Sequence, residues 1–500
     1  MKKNNQKNIN RRETLKIGSL VGLTSAAGIT LTTMNTHAND TDFKKSPSHS
    51  NNGNKISNGW SDYSELQNRI KSPIFKNQDF LITNYGAVAN SIIEATDAIK
   101  MAIEACHSLG GGRVVVPVGD FLTGPIVLKS NVNLHIVAGA TLKFITDPEK
   151  YPLVFTRWEG IECMNFCPLI YAFEQENIAV TGHGTLDGQA TKENWWDWKR
   201  THWQTQVEDK QRPDARKLIA MGEKGIPVAE RVFGYGHYLR PSFIQPYRCR
   251  DILIENVKII NSPMWEIHPV LSRNITIRGL NISSHGPNND GCDPESCKDV
   301  LIENCVFDVG DDCIAIKSGK NNDGRRINVA SENIIIRHCQ MKDGHGGIVL
   351  GSECSGHIRN VFIEHCEMDS IHLDRAFRFK NNATRGGIIE NIFARHVRIG
   401  RVGEAVLTID LLYEEGAKGS FNPVVRNIQL DHIQSSGSPR VMYIASIPGA
   451  EIDHIDFSNC EFRGVEASEI FSTTGSIGFN NVVIEPKFKP SSLSSRKGEM

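Results

Sequence analysis

A chain of 500 residues is long enough for several globular domains, but repeat folds grow by adding units and escape that limit, so length leaves the domain count open. With 56 Lys+Arg against 57 Asp+Glu the formal charge is −1, which excludes a sequence-independent pull toward nucleic acid or an anionic membrane. Charge selectivity has to be local.

The chain opens with Arg11-Arg12-Glu13-Thr14-Leu15-Lys16, a mildly apolar run from Ile17 to Thr32, and Thr36-His37-Ala38 as a cleavage site. This pattern predicts a twin-arginine-type signal peptide over residues 1–38, hence an exported protein, periplasmic or secreted. The Gly, Ser and Thr content of the run argues against a stable membrane span. Residues 39–75, rich at first in Asn, Ser and Lys, are predicted as a polar linker.

A helix follows, with Ala98, Ile99, Ala102, Ile103 and Cys106 on one face, Thr96 placed to cap its start, and Gly110-Gly111-Gly112 ending it before Val114-Val115-Val116. Cys163 with Cys167, and Cys292 with Cys297, lie in loop-like sequence at spacings that suit short bridges. Cys305, Cys339, Cys366 and Cys460 fall inside apolar strand patterns and are expected in a core. No C-x-x-C spacing occurs, so no structural metal is expected. Between Asp187 and Arg240 lies an irregular, polar insertion with Trp195, Trp196, Trp198 and Trp203; it either walls off a groove or packs as a surface loop.

From the middle of the chain onward a ten-residue phrase recurs: polar-Asn-apolar-x-apolar-x-Asn/His-apolar-x-apolar. It is seen from Arg250 to Ile259, then around Ile275, Val300, Ile334, Val361, Ile392, Ile428 and Ile455, with an earlier copy near Asn177 to Leu186. Apolar residues alternate at period two and are β-branched, and the copies are too closely spaced for crossover helices. The expectation is an all-β fold, a single right-handed parallel β-helix over residues 76–486, closed by the N-terminal capping helix and followed by a polar tail, 487–500. Asn256, Asn304, His338, His365, His396, His432 and Asn459 then form one column, which reads as a polar ladder at a bend rather than a row of ligands.

Counting from that column exposes one face. Asp311 lies seven residues after Asn304, His345 seven after His338, and His372 seven after His365. Asp290, reached through Gly286-Pro287-Asn288-Asn289, lies one coil from Asp311, and Gly310 can bend the backbone so that Asp311 and Asp312 both address a groove. A cluster of carboxylates raises at least one pKa, as a general acid beside a general base requires. Arg378 and Lys380 point the same way from a further coil and suit a carboxylate-bearing ligand. Trp265, in Met264-Trp265-Glu266-Ile267-His268-Pro269 one coil before Asp290, is a candidate sugar-stacking residue.

In these four places the sequence resembles the polygalacturonases, family 28 of the glycoside hydrolases. The family's Asn-Thr-Asp stands as Asn288-Asn289-Asp290, its Gly-Asp-Asp as Gly310-Asp311-Asp312, its Gly-His-Gly as Gly344-His345-Gly346, and its Arg-x-Lys as Arg378-Phe379-Lys380. Asn289 in place of threonine is the departure, read as a variation of the turn. The resemblance implies an inverting hydrolase of galacturonic-acid polymers, similar to bacterial exo-acting relatives. Asp311 would be the general acid, Asp290 and Asp312 would activate water, and His345 would maintain the acid or orient the sugar. Arg378 and Lys380, with Tyr413 as a further contact, would bind the substrate carboxylate. It implies no metal or other cofactor, and a polyanionic pectic polysaccharide as partner. Rhamnogalacturonan or xylogalacturonan hydrolysis, a polysaccharide lyase on the same fold, and a non-catalytic polysaccharide-binding β-helix stay open as alternatives.

Overall fold

The computed structural model describes residues 59–487, apart from 203, 205, 468, 469 and 472–474. The expected signal peptide, the linker up to residue 58, Trp203 and the tail from residue 488 lie outside the described residues. Within them the chain winds as a right-handed parallel β-helix. One sheet has 13 strands and a second has 12. A third has 6 strands and is continued toward the N-terminus by a three-stranded sheet through single bridges, Ile244–Ile267, Ile267–Cys292 and Cys292–Ile314.

The repeated phrase is the first sheet, its bend, and the start of the second. Ile252 and Ile254 stand in register with Ile275 and Ile277, then with Val300 and Ile302, Ile334 and Ile336, and Val361 and Ile363. All ten are buried in one core, at about 1.5–3 kcal/mol for each side chain withdrawn from water. The polar column sits at the bend. Its members Asn256, Asn304, His338, His365, His396, His432 and Asn459 all have φ between 52° and 62°, the left-handed region Asn and His tolerate better than β-branched residues. Their N–H groups donate to the next coil, as from His338 to Glu364 O and from His365 to Arg395 O. The His338, His365 and His396 rings stack at 5.2 Å. The column is architecture, as expected.

The helix Thr96–Ser108 buries the five predicted residues against the first coils. Its cap differs: Ala95 holds that position, while Thr96 Oγ1 accepts the Gly124 N–H at 2.6 Å and donates to Glu94 at 2.8 Å. The suggested bridges do not form. All twelve cysteines are free and buried; Cys163 and Cys167 enter different apolar clusters, and Cys292 and Cys297 join the central core. Residues 59–75 also depart from the linker expectation. A helix, Tyr63–Arg69, docks Tyr63, Leu66 and Ile70 on Leu301, Ile335, Phe362 and Phe393, four successive outward positions of the first sheet.

Trp195 and Trp198 of the insertion are buried in the central core, and Trp196 donates to Ser262 O at 2.8 Å. These three pack the insertion onto the coil. Its helix Gln211–Glu223 lies against an antiparallel hairpin, Leu153–Trp158 with Ile161–Phe166, and against the helix Asn321–Ile327. Together they cover the outward face of the early third sheet, burying Gln245, His268, Asp293 and Glu295. No helix among the described residues is long and apolar enough to cross a membrane.

Candidate active site

At the corner between the second and third sheets the coil brings three acids together. Asn289 fixes the turn before Asp290: its side chain accepts from Gly286 N and Ser284 Oγ, each at 2.7 Å, and donates to Ser262 O and Met264 O, each at 3.1 Å. With all its hydrogen bonds made by the turn, Asn289 is a structural variation. One coil on, Gly310 sits where a Cβ would lie 2.6 Å from Gly286 O, so only glycine lets the Asp311-Asp312 corner close on the Asp290 turn. A further coil on, Gly344 (φ 142°) leaves room for Asp311 O, to which the His345 N–H donates at 2.9 Å. Gly346, in register with Asp312, leaves the gap beside which Arg378 reaches Asp312 from two coils away, and Lys380 reaches it from the same strand.

Carboxylate oxygens of Asp290, Asp311 and Asp312 lie within 4.8 Å of one another. That is closer than one rung plus a side-chain offset was expected to give, and closer than the about 6.5–9.5 Å usual for inverting glycosidases. The three differ in exposure and partners. Asp312 is 0% exposed and takes Lys380 Nζ at 2.5 Å and Arg378 at 3.5 Å. Asp290 is 5% exposed and faces Lys317 Nζ at 3.4 Å. Asp311 is 20% exposed, with His345 Nδ1 at 3.1 Å from Oδ1.

Burial, with the charges of Asp293 and Asp311, pushes the Asp290 carboxyl well up, against the pull of Lys317. For Asp311 burial acts in the same direction but is outweighed by His345, Lys380 and Lys317, which hold it below the ordinary carboxylate range. The contact with Asp311 in turn raises His345 to about 9. The sign follows: the pair stabilises the fold fully below the unfolded histidine value, ~6.5, and loses this contribution as pH rises through about 9. We predict that the His345 ring, followed by NMR, titrates near 9 and falls toward ~6.5 in Asp311→Asn; an unchanged midpoint would show the pairing to be wrong.

The structure thus gathers Asp290, Asp311, Asp312 and His345, with Arg378 and Lys380 behind them. Tyr413 lies alongside, its ring 5.7 Å from the Arg378 guanidinium and 5.3 Å from Lys380 Nζ. His372 is exposed at the rim. Trp265 is corrected: it is 3% exposed, packed with Trp158, Met264 and Leu239 under the hairpin, and cannot stack on a sugar. Sequence reasoning passed over Lys317 and Arg240. Lys317 ends the run Cys313-Ile314-Ala315-Ile316, and a lysine closing a fully buried strand was the available signal. Arg240, fully buried, donates to Pro287 O at 2.6 Å and to Asn288 Oδ1 at 2.7 Å, tying the insertion to the Asp290 turn. Burial brings it down to about 10.

The glycosyl hydrolases family 28 profile matches residues 235–475. A solved exopolygalacturonase from Thermotoga maritima is 45% identical, covering 84% of this chain and 95% of that one, with a TM-score of 0.81. An exo-poly-alpha-D-galacturonosidase of Dickeya chrysanthemi is 26% identical over 435 residues, 80% of this chain and 70% of that one. A Vitis vinifera protein described as a probable polygalacturonase is 30% identical over 326 residues, 63% of this chain; the match spans 59% of its length.

Proposed function

The chain belongs to family 28 of the glycosyl hydrolases, and from that premise we propose that it is an inverting polygalacturonase, hydrolysing α-1,4 linkages between galacturonic acid units of pectin, with release from a chain end. The observation that carries this reading is the trio of carboxylates on adjoining coils, of which the most exposed, Asp311, is paired with a histidine. Asp311 protonates the departing glycosidic oxygen. Its carboxyl is held ionised, so the proton it passes to the oxygen is the one His345 holds 3.1 Å away. Asp290 and Asp312 hold and deprotonate water.

The short spacing falls in the range of retaining enzymes, where one carboxylate bonds the sugar. Recess argues for inversion: Asp312 is inaccessible and held by two cations, and Asp290 is nearly so, which leaves neither an oxygen free to reach an anomeric carbon. Asp290, at 5% exposure, can still polarise a water lying over it, with Asp312 adding its charge from beneath. Lys380 lies 2.5 Å from Asp312, whereas the Arg378 guanidinium is 3.5 Å from it and more exposed, which makes Arg378 the better seat for a galacturonate carboxylate, beside Tyr413.

Chain-end action is supported by the hairpin and inserted helix, which fill the third-sheet face on the N-terminal side of Asp290 and leave the Arg378–Tyr413 side as the approach. Export by the twin-arginine route, suggested by Arg11-Arg12, would place the enzyme with an extracellular polymer.

Digests of polygalacturonate, rhamnogalacturonan and xylogalacturonan with the purified protein test this. The expected products are saturated and come from polygalacturonate, small ones appearing before the polymer shortens. An unsaturated uronide would indicate a lyase, and preference for either decorated polymer would move the substrate assignment.

A further inference from the structure

Beneath the acids lies a lysine that the reaction as described does not use. Lys317 is 3% exposed and its ammonium lies 3.4 Å from each of Asp290, Asp293 and Glu353. The Trp265 ring covers it, with the centroid 4.4 Å from Nζ. A cation buried at this depth persists only because carboxylates surround it; burial pulls Lys317 down, and Glu353, Asp290 and Asp293 raise it well above the ordinary lysine value.

Resting on the hydrolase reading, we propose that Lys317 is a positioning residue that opposes protonation of Asp290 and keeps its carboxyl aimed at the attacking water, with Asp293 and Glu353 sharing its charge. Around Asp290 stand the acids Glu266, Asp293, Asp311 and Asp312, all of which favour its protonation. Glu266, fully buried, has neither oxygen hydrogen-bonded. Lys317 is the cation in contact with Asp290 among the described residues, while Lys380 lies against Asp312 and Arg378 faces it at 3.5 Å. Glu353 is divided between Lys317 and Lys320, the latter at 3.6 Å and also paired with Glu159. His268, also near Lys317, is engaged by Glu295 at 2.8 Å. Asp290 is therefore a base whose ionisation depends on one ammonium, and removing a competitor for that ammonium acts opposite to removing the ammonium itself.

The test compares pH profiles of kcat for wild type, Lys317→Met and Glu353→Gln on polygalacturonate. In Lys317→Met the acid limb should move up by about 1–3 pH units, the effect of an opposite charge within ~4–6 Å. Its kcat should fall about 10- to 100-fold, no more than the lower end of the ~10²–10⁴ of general acid–base assistance because the base itself remains, with KM nearly constant because Lys317 does not touch substrate. In Glu353→Gln the limb should move down. A purely structural lysine would lower activity in both variants without opposite shifts, and limbs that stay in place overturn the proposal. Should Lys317→Met not fold, the direction in Glu353→Gln decides alone. An inert wild type would instead refute the hydrolase reading itself.

Discussion

Asp311→Asn is expected to lower kcat on polygalacturonate by about 10³-fold, near 4 kcal/mol of transition-state stabilisation, with KM almost unchanged and only the part of the unfolding midpoint that the His345 pair contributes lost. Asparagine matches aspartate in shape, and the side chain is 20% exposed, so no buried charge is stranded by the change. The amide cannot give a proton to the leaving oxygen, and His345 loses the carboxylate that holds its own proton. Steady-state kinetics beside thermal unfolding separate these effects; turnover within a few fold of wild type would remove Asp311 from the chemistry.

The largest effect on stability is expected from Lys380→Met. Asp312 has no exposure, and its Lys380 contact at 2.5 Å is much shorter than the 3.5 Å to Arg378. Breaking a buried pair by removing one partner costs about 3–5 kcal/mol, because the other charge is left uncompensated. The double variant Asp312→Asn with Lys380→Met should regain much of that loss in denaturant unfolding while remaining inactive, since the water has lost one of its two carboxylates. Additive losses in the double-mutant cycle would show that the contact carries little coupling.

The coil could be read from the sequence because its inward positions recur: Ile252, Ile275, Val300, Ile334 and Val361 occupy one place in successive phrases and one column in space. The same counting found Asp311 and His345, each seven residues past the bend, since a residue at a fixed offset in a coil lands on a fixed face. The ion pairs around them were not legible. Lys317 meets Asp290 from 27 residues away and Lys380 meets Asp312 from 68, contacts between coils that no local pattern encodes. Trp265 misled because an aromatic one coil from an acid cluster suits a sugar platform; the hairpin Leu153–Phe166, which covers it, lies a hundred residues earlier and carries no repeat. The helix Tyr63–Arg69 was hidden in the same way: its dock is a set of outward residues, Leu301, Ile335, Phe362 and Phe393, whose shared column emerges only when the coils are stacked.

Under the inverting mechanism proposed, Asp290 and Asp312 activate water and do not themselves attack the sugar, although their oxygens and those of Asp311 lie within 4.8 Å. Proton NMR of the anomeric signals during the first minutes of a polygalacturonate digest, before mutarotation, tests it most directly. Inversion predicts that the newly formed reducing end appears first as the β-anomer of a saturated galacturonate. An α-anomer appearing first would mean that a carboxylate had bonded the sugar and that the enzyme is not inverting.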